Sequence, residues 1–424
     1  DIFFTKIKHG RILLLFFSEY IVQLTMGGGL MQLVAYGAQD VYLTGDPEIT
    51  FFKAIYRRHT NFSIESIAQV FNGATGFGRK ATVTVSRNGD LITNTVLEVK
   101  LPALPPNWRW NSNVGHNLIE EVELEIGGQR IDRHYGEWLD IWSELSTPEA
   151  KKSMFDSEMV RRVADVATAN GSASTLYVPL QFFFNRNHGL ALPLIALQYH
   201  EVKINFTFAK LSDLCHYAGT GATPAVPSVD EPPMSLYIDY VYLDTDERKR
   251  FAQSQHELLI EQLQFTGDET PMTNGSYRLN FNHPVKELVW VVTQPVKGNK
   301  FEYGSDITDD EGRTGVDAVT SANLQLNGHD RFDAREGSYF RLVQPFQHHT
   351  RIPQKNIYVY SFAVKPEEHQ PSGTCNFSRI DNATLKLQIA QSAVDAPNSK
   401  VKIFATSVNV LRILSGMGGL AYSN

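Results

Sequence analysis

Residues 123–138 read ELEIGGQRIDRHYGEW, and residues 323–339 read NLQLNGHDRFDAREGSY. Each stretch opens on alternating residues, turns at a glycine, runs through basic and acidic residues and ends on an aromatic one. A one-residue gap aligns them. Alternation with a period of two marks a strand with one buried face. Gly127-Gly128 and Asn327-Gly328 are turn signals between such strands. The echo predicts a β unit that occurs twice in the chain.

The same alternation recurs outward from these two points. Val83 and Val85 share a face in Ala81–Ser86; Val122, Leu124 and Ile126 in Glu121–Ile126; Val202, Ile204, Phe206 and Phe208 in Val202–Phe208; Leu385, Leu387 and Ile389 in Ala383–Ile389. Ser235–Leu243, Lys286–Thr293 and Ile357–Val364 are more apolar and predict strands covered on both sides. Asn88-Gly89-Asp90 and Asn274-Gly275 read as further turns. Helical pattern is sparse. Trp138, Ile141, Trp142 and Leu145 follow i, i+3, i+4, i+7 spacing, and Thr147-Pro148 reads as the start of a second short helix. The polar run Asp246–Gln255 suits a helix that links domains. Many short strands on a repeated unit predict an all-β chain of two β-sandwiches side by side. The expected division is an extension 1–25, an arm 26–50, a first sandwich 51–245, a linker 246–256 and a second sandwich 257–424.

The chain has 424 residues, 42% hydrophobic and 20% charged, which is enough for two or three domains with cores of their own. Lys+Arg 39 against Asp+Glu 46 gives a net charge of −7, which argues against a protein that coats nucleic acid. Two cysteines, Cys215 and Cys375, exclude a disulfide-dense scaffold and a four-thiolate zinc site, and their separation favours reduced thiols. The apolar run Ile12–Phe17 is too short for a membrane span or a signal peptide. Met26 reads as a natural start, with residues 1–25 as an upstream extension, an arm along a membrane or partner, or a cleaved signal.

No motif for catalysis, metal or cofactor emerges. Residues 73–81 (GATGFGRKA) carry Arg79 where a phosphate-binding loop needs its lysine, and read as a hairpin loop. His200-Glu201 and His256-Glu257 lack a second histidine four residues on, and His348-His349 would point to opposite faces of a strand. Residues 306–311 (DITDDE) place Glu311 where a calcium loop needs glycine. There is no G-x-S-x-G elbow, and no carboxylate pair stands out for glycoside hydrolysis. Sequons occur at Asn61, Asn170, Asn205, Asn274, Asn376 and Asn382; Asn170 and Asn274, in loop-like contexts, are the candidate glycosylation sites.

Four longer blocks carry a family resemblance. Residues 33–61 (LVAYGAQDVYLTGDPEITFFKAIYRRHTN) resemble the amino-terminal segment of major capsid proteins of large icosahedral double-stranded DNA viruses of the nucleocytoplasmic type, closest to the phycodnavirus and chlorovirus form. Residues 182–208 (FFFNRNHGLALPLIALQYHEVKINFTF) resemble the family's most recognisable motif, residues 241–264 its domain junction, and residues 344–381 its second-domain signature. The blocks follow the family's order from about Met26 to near the end.

The resemblance implies a double jelly roll, two eight-stranded antiparallel sandwiches with a few short helices in loops. It implies homotrimeric, pseudo-hexagonal capsomers that tile the virion shell and form in host cytoplasm. Implied partners are neighbouring capsomers, minor capsid proteins and a penton protein, with an internal viral membrane nearby and no direct nucleic-acid contact. Within that frame Phe51, Phe52, Tyr56, Arg57 and Arg58 are expected to form a short amphipathic element facing inward. Trp108, Trp110 and Phe346 are candidates for intersubunit loops or else for ordinary core packing. Two other readings share the fold: a carbohydrate-binding or carbohydrate-cleaving sandwich, and a minor shell protein.

Overall fold

The computed structural model describes residues 28–162, 171–220, 224–295, 298–304 and 317–423. They fall into two units, one ending at Thr60 and one running from Asn61 onward. The first holds two short helices, α1 (Gly28–Val34) and α2 (Val41–Thr44), with no buried residue in either. Residues 51–60 belong to this unit and not to a sandwich. Phe51, Phe52, Tyr56, Arg57 and Arg58 are exposed there, in a turn followed by irregular chain rather than in a helix or strand. The expected amphipathic element therefore has no regular backbone; Phe51-Phe52 and Tyr56-Arg57-Arg58 follow neither period.

Among the described residues of the second unit, sixteen strands build the two sandwiches, with a few other short strands beside them. In the first half they are β1 (Phe62–Gln69), β2 (Lys80–Thr84), β3 (Leu91–Leu101), β4 (Ile119–Ile126), β5 (Gln129–Tyr135), β6 (Ser174–Pro179), β7 (Val202–Phe208) and β8 (Met234–Leu243). Helices α3 (Val114–Leu118), α4 (Gly136–Ser146), α5 (Glu149–Met154) and the linking α6 (Thr245–Gln253) accompany them. The second half has β9 (His256–Phe265), β10 (Asn274–Arg278), β11 (Pro284–Thr293), β12 (Val319–Leu326), β13 (His329–Asp330), β14 (Tyr358–Ser361), β15 (Ala383–Ile389) and β16 (Lys400–Leu414). A wide helical turn, Tyr339–Val343, runs into α7 (Gln344–His348).

The sheet orders repeat. The first half pairs β1-β8-β3-β6 in one sheet and β2-β7-β4-β5 in the other; the second pairs β9-β16-β11-β14 and β10-β15-β12-β13. Strand for strand, the second list is the first shifted by eight. All sixteen pair antiparallel. Each half buries its own apolar core between its two sheets, Leu97, Val122, Ile204 and Leu236 in one, Leu288, Trp290, Leu324 and Leu385 in the other.

Local chemistry repeats with the topology. Gly127 and Gly128 have φ of 58° and 84°, and Asn327 and Gly328 have 51° and 81°. Positive φ at both central residues is the hairpin turn whose twist matches paired strands. Nine residues after Gly127, and ten after Asn327, comes another glycine. A Cβ on Gly136 would lie 2.3 Å from the Ile119 carbonyl oxygen, and one on Gly337 only 1.8 Å from that of Val319. Those carbonyls start β4 and β12, so the same close approach is built twice.

Several sequence readings need correction. Asn274-Gly275 is not a turn but the start of β10, paired with Gln388 and Leu387. Residues 73–79 join β1 to β2, which lie in opposite sheets, so this loop crosses between sheets and is no hairpin. Ile357–Val364 forms only the four-residue β14, ending at Ser361, whose Oγ bonds to the Ala363 carbonyl oxygen (2.7 Å) and turns the chain. Thr147 caps the end of α4, and Pro148 sits just before α5 rather than at its first position. Met234–Leu243 alternates in burial and is not covered on both sides.

Candidate assembly surfaces and the seam between the sandwiches

Helix α4 is buried from Gly136 to Leu145. An exposed helix would keep its polar face in solvent; this one buries its polar side along with its apolar side because it lies between the sandwiches. Trp138, Ile141, Trp142 and Leu145 form one apolar cluster with Val289, Val291, Phe301, Tyr303, Ile357, Val359 and Phe404 of the second half. Val289, Val359 and Phe404 lie side by side across β11, β14 and β16 on the outward face of their sheet. Trp138 meets Phe404 with ring centroids 5.4 Å apart, and the Arg186 guanidinium lies 3.9 Å over the Trp142 ring.

The helix also carries three acids into the seam. Asp140 Oδ1 accepts from Asn113 Nδ2 (2.6 Å) and pairs with Arg162; its Oδ2 accepts from Lys355 Nζ (2.8 Å) and the Tyr303 hydroxyl (3.1 Å). Glu144 pairs with Arg162, with Lys152 Nζ at 3.0 Å and with Arg351 Nη2 at 2.6 Å. Glu137 pairs with Lys402. Burial alone would raise all three carboxyls. At Asp140 and Glu144 the surrounding cations outweigh burial and hold the acids below their ordinary range, whereas at Glu137 burial wins over Lys402 and its pKa is raised. His116, fully buried nearby, is pushed down to about 4 by burial.

A second buried set sits on the second half. His349 Nε2 lies 2.9 Å from Glu287 Oε2 and its Nδ1 2.8 Å from Glu367 Oε1. Burial opposes the charge, but the flanking carboxylates raise His349 to about 9. Lys286 Nζ donates to Glu261 Oε1 (2.6 Å), whose Oε2 accepts from Arg186 Nη1 of the first half (3.0 Å). Such pairs cost desolvation when formed, yet leave a bare charge if one partner is removed. Of these contacts the Arg186–Glu261 pair ties one half to the other.

These groups hold structure rather than do chemistry. Among the described residues no three His, Cys, Asp or Glu side chains converge on a metal position. A cleft of about 410 Å³ opens between β5 and β9. Among the described residues Asp132 is the one carboxylate lining it, held by His134 (2.8 Å) and the Leu263 amide (3.0 Å), and no second acid stands opposite it as glycoside hydrolysis requires. Cys215 and Cys375 are both free thiols.

The sequence-derived candidates separate. Trp108 and Trp110 are buried in the chain's own first core, Trp108 against Tyr217 and Trp110 tilted on Phe77, so they are core residues and not intersubunit loops. The pairing of Trp108–Trp110 with Cys215–Tyr217 turns both indoles inward. Phe346, on α7, is 74% exposed. Asn274 is exposed at a sheet edge; Asn170 and residues 306–311 lie outside the described residues. Sequence reading missed the acids of α4, and also Leu342 and Val343, which are exposed beside Phe346. Extending the repeat alignment a further seven residues would have found the latter pair, because it sets Trp138, Ile141, Trp142 and Leu145 against Tyr339, Leu342, Val343 and Phe346.

Comparison with known proteins fits this architecture. Residues 50–244 match the model of the major capsid protein N-terminus, and residues 247–419 that of the large eukaryotic DNA virus major capsid protein. The chain is 53% identical to the major capsid protein of Pyramimonas orientalis virus and 46% identical to that of Paramecium bursaria Chlorella virus 1, in each case over 94% of this chain and 100% of the relative. The crystal structure of PBCV-1 VP54 superposes with a TM-score of 0.77 at 44% identity, covering 88% of this chain and all of the other. The Faustovirus major capsid protein shares the fold at 12% identity, TM-score 0.70, with 89% and 94% covered. Two jelly rolls joined by a buried seam, matched over both halves, make this chain a member of the large eukaryotic DNA virus major capsid protein family.

Proposed function

We propose that three copies of this chain close into a pseudo-hexagonal capsomer, and that such capsomers tile an icosahedral shell. The role is structural rather than catalytic: the family forms the shell of the virion. The observation that carries the trimer is the repeated strand order, β1-β8-β3-β6 with β2-β7-β4-β5 and the same eight again. Two like sandwiches per chain, taken three times, give six like corners, so a threefold particle can sit in a hexagonal lattice. The sandwiches, the first now read from Asn61 to 245 and the second as 257–424 with 246–256 between them, would stand around the ring.

Residues 26–50, with Phe51, Phe52, Tyr56, Arg57 and Arg58, are read as an inward-facing arm that meets minor capsid proteins near an internal membrane. Exposed aromatic and basic side chains support this, since together they suit an apolar or anionic surface. No helix among the described residues is long and apolar enough to cross a membrane. Capsomers would form in host cytoplasm and meet neighbours and a penton protein. Asn274 would carry any glycan, being exposed. Purified full-length chain should sediment at about three times 47.7 kDa and dominate a stained gel of virions. A monomer at every concentration would sink the trimer. Saturable sugar binding by such a monomer would favour the carbohydrate reading, and a minor gel band the minor shell protein.

A further inference from the structure

Helix α4 and the segment 339–348 occupy equivalent places. Each follows the hairpin made by the third strand of its inner sheet (β4 with β5, β12 with β13), and each begins beside a glycine pressed on the carbonyl that starts that strand. Setting Gly136 against Gly337 sets Trp138, Ile141, Trp142 and Leu145 against Tyr339, Leu342, Val343 and Phe346. Both stripes have i, i+3, i+4, i+7 spacing. Their fates differ. The first is buried on the outer face of β9-β16-β11-β14. In the second, Leu342 is 39%, Val343 37% and Phe346 74% exposed.

The matching sheet of the first sandwich, β1-β8-β3-β6, has an outer face of its own. Ala68, Tyr237, Val96 and Pro179 form one row across its four strands, and Ser235, Glu98 and Tyr177 the row beside it. Ala68 and Tyr177 are exposed and Val96, Tyr237 and Pro179 half-buried, whereas Phe404, Val289 and Val359, in a row across the other sheet, are fully covered. One chain thus uses one donor stripe and one acceptor face on itself and leaves one of each over.

We propose that the segment 339–348 of one copy docks through Leu342, Val343 and Phe346 on the outer face of β1-β8-β3-β6 of a second copy, around Val96, Tyr177 and Tyr237. The occupant is a second copy because the leftover stripe and the leftover face are the two halves of a seam the chain already makes. Charge does not oppose the contact: Glu98 on the face is already paired with Lys100 (3.5 Å), and beside the stripe Arg335 lies 4.5 Å over the Tyr339 ring. A contact between unlike patches either closes a ring or runs on as a filament. Three chains with one internal and one external seam each close a ring of six. This rests on the trimer reading above, and the test separates the two.

Full-length chain carrying a photo-cross-linking phenylalanine in place of Tyr177 is irradiated and its adducts mapped by mass spectrometry. The expected product is a covalent multimer of up to three chains, joined to the peptide containing residues 339–348. In parallel, Phe346→Asp should lower the trimer fraction at least tenfold by sedimentation while the thermal unfolding of the dilute chain stays put. Trimers that persist in Phe346→Asp, with no adduct to 339–348, leave the trimer standing and overturn this docking. Adducts confined to residues 28–60 mean the chain's own arm covers the face, and overturn it as well. A wild-type chain that never trimerises overturns both readings.

Discussion

The two sandwiches share one strand order and differ in what covers their outer sheets. In the second, β11 buries every residue from Val285 to Thr293, because the core lies under one side and α4 under the other. In the first, β3 alternates from Thr93 to Val99, with Asn94, Val96 and Glu98 half-buried. Topology is therefore not what sets the apolar pattern of a strand here; the neighbour on its outer face does. A continuous apolar run reports a cover on both sides, and the Lys286–Thr293 stretch reports α4. One outer sheet is thus covered from within the chain, while the equivalent sheet of the other sandwich keeps a half-buried outer face.

The sharpest way to break that contrast is to unpair the seam. Asp140→Ala removes the carboxylate that holds Arg162 and Lys355 and leaves both cations buried. The expected loss is about 3–5 kcal/mol in denaturant unfolding, the usual result of breaking a buried pair from one side. Glu257→Ala removes the partner of Arg412 (2.9 Å), where both side chains are more than half exposed, and should cost about 0–1 kcal/mol. Equal losses at the two sites would mean that the seam is not the desolvated junction described above.

Acid should find the same seam. His116 is held neutral with a pKa near 4, below the ordinary 6.5. Between those values the unfolded chain binds more protons than the folded one, so stability rises with pH there and is lost as pH falls from 6.5 towards 4. The full effect is on the order of 3 kcal/mol. Asp140 and Glu144, held low by their cations, are lost only at still lower pH. His349 behaves oppositely: raised to about 9, its contribution is complete below 6.5 and disappears as pH climbs through 9. Unfolding midpoints of the wild type and His116→Gln across pH 4–7 check the acid limb; a wild-type slope retained in His116→Gln would assign it elsewhere.

What could be read from sequence follows from how far each residue's partners lie along the chain. Val202–Phe208 and Ala383–Ile389 form as their alternation predicts, because a strand's two faces are written in neighbouring residues. The repeat was legible in Gly127-Gly128 and Asn327-Gly328, since a left-handed turn restricts residue type locally. The acids of α4 were not legible. Asp140 and Glu144 look like the polar side of an ordinary helix, and their burial depends on Lys355 and Arg351, about 200 residues away. Trp108 and Trp110 could be exposed or core on sequence alone; pairing with Cys215–Tyr217 decides for the core. Leu342 and Val343 were legible only by carrying the repeat seven residues further, a register that the close approach of Gly337 to the Val319 carbonyl supports.

The finest comparison sets two aligned residues against each other. Ile141 is wholly buried in the seam, and Leu342 is its counterpart on the open stripe. Ile141→Val deletes one methylene inside a packed cluster and should cost about 0.5–1.5 kcal/mol at any protein concentration, since the cavity lies within one chain. Leu342→Ala deletes more atoms yet should change unfolding of the dilute chain by less than about 0.5 kcal/mol, as surface substitutions do. Its effect should grow with concentration, because the contact it weakens exists only between copies and binding to the folded state stabilises by mass action. Denaturant midpoints measured over a hundredfold range of concentration distinguish the two. A Leu342→Ala loss that is large and independent of concentration would place that side chain inside its own chain's packing, and the two helical stripes would then no longer divide into one spent within the chain and one kept for a neighbour.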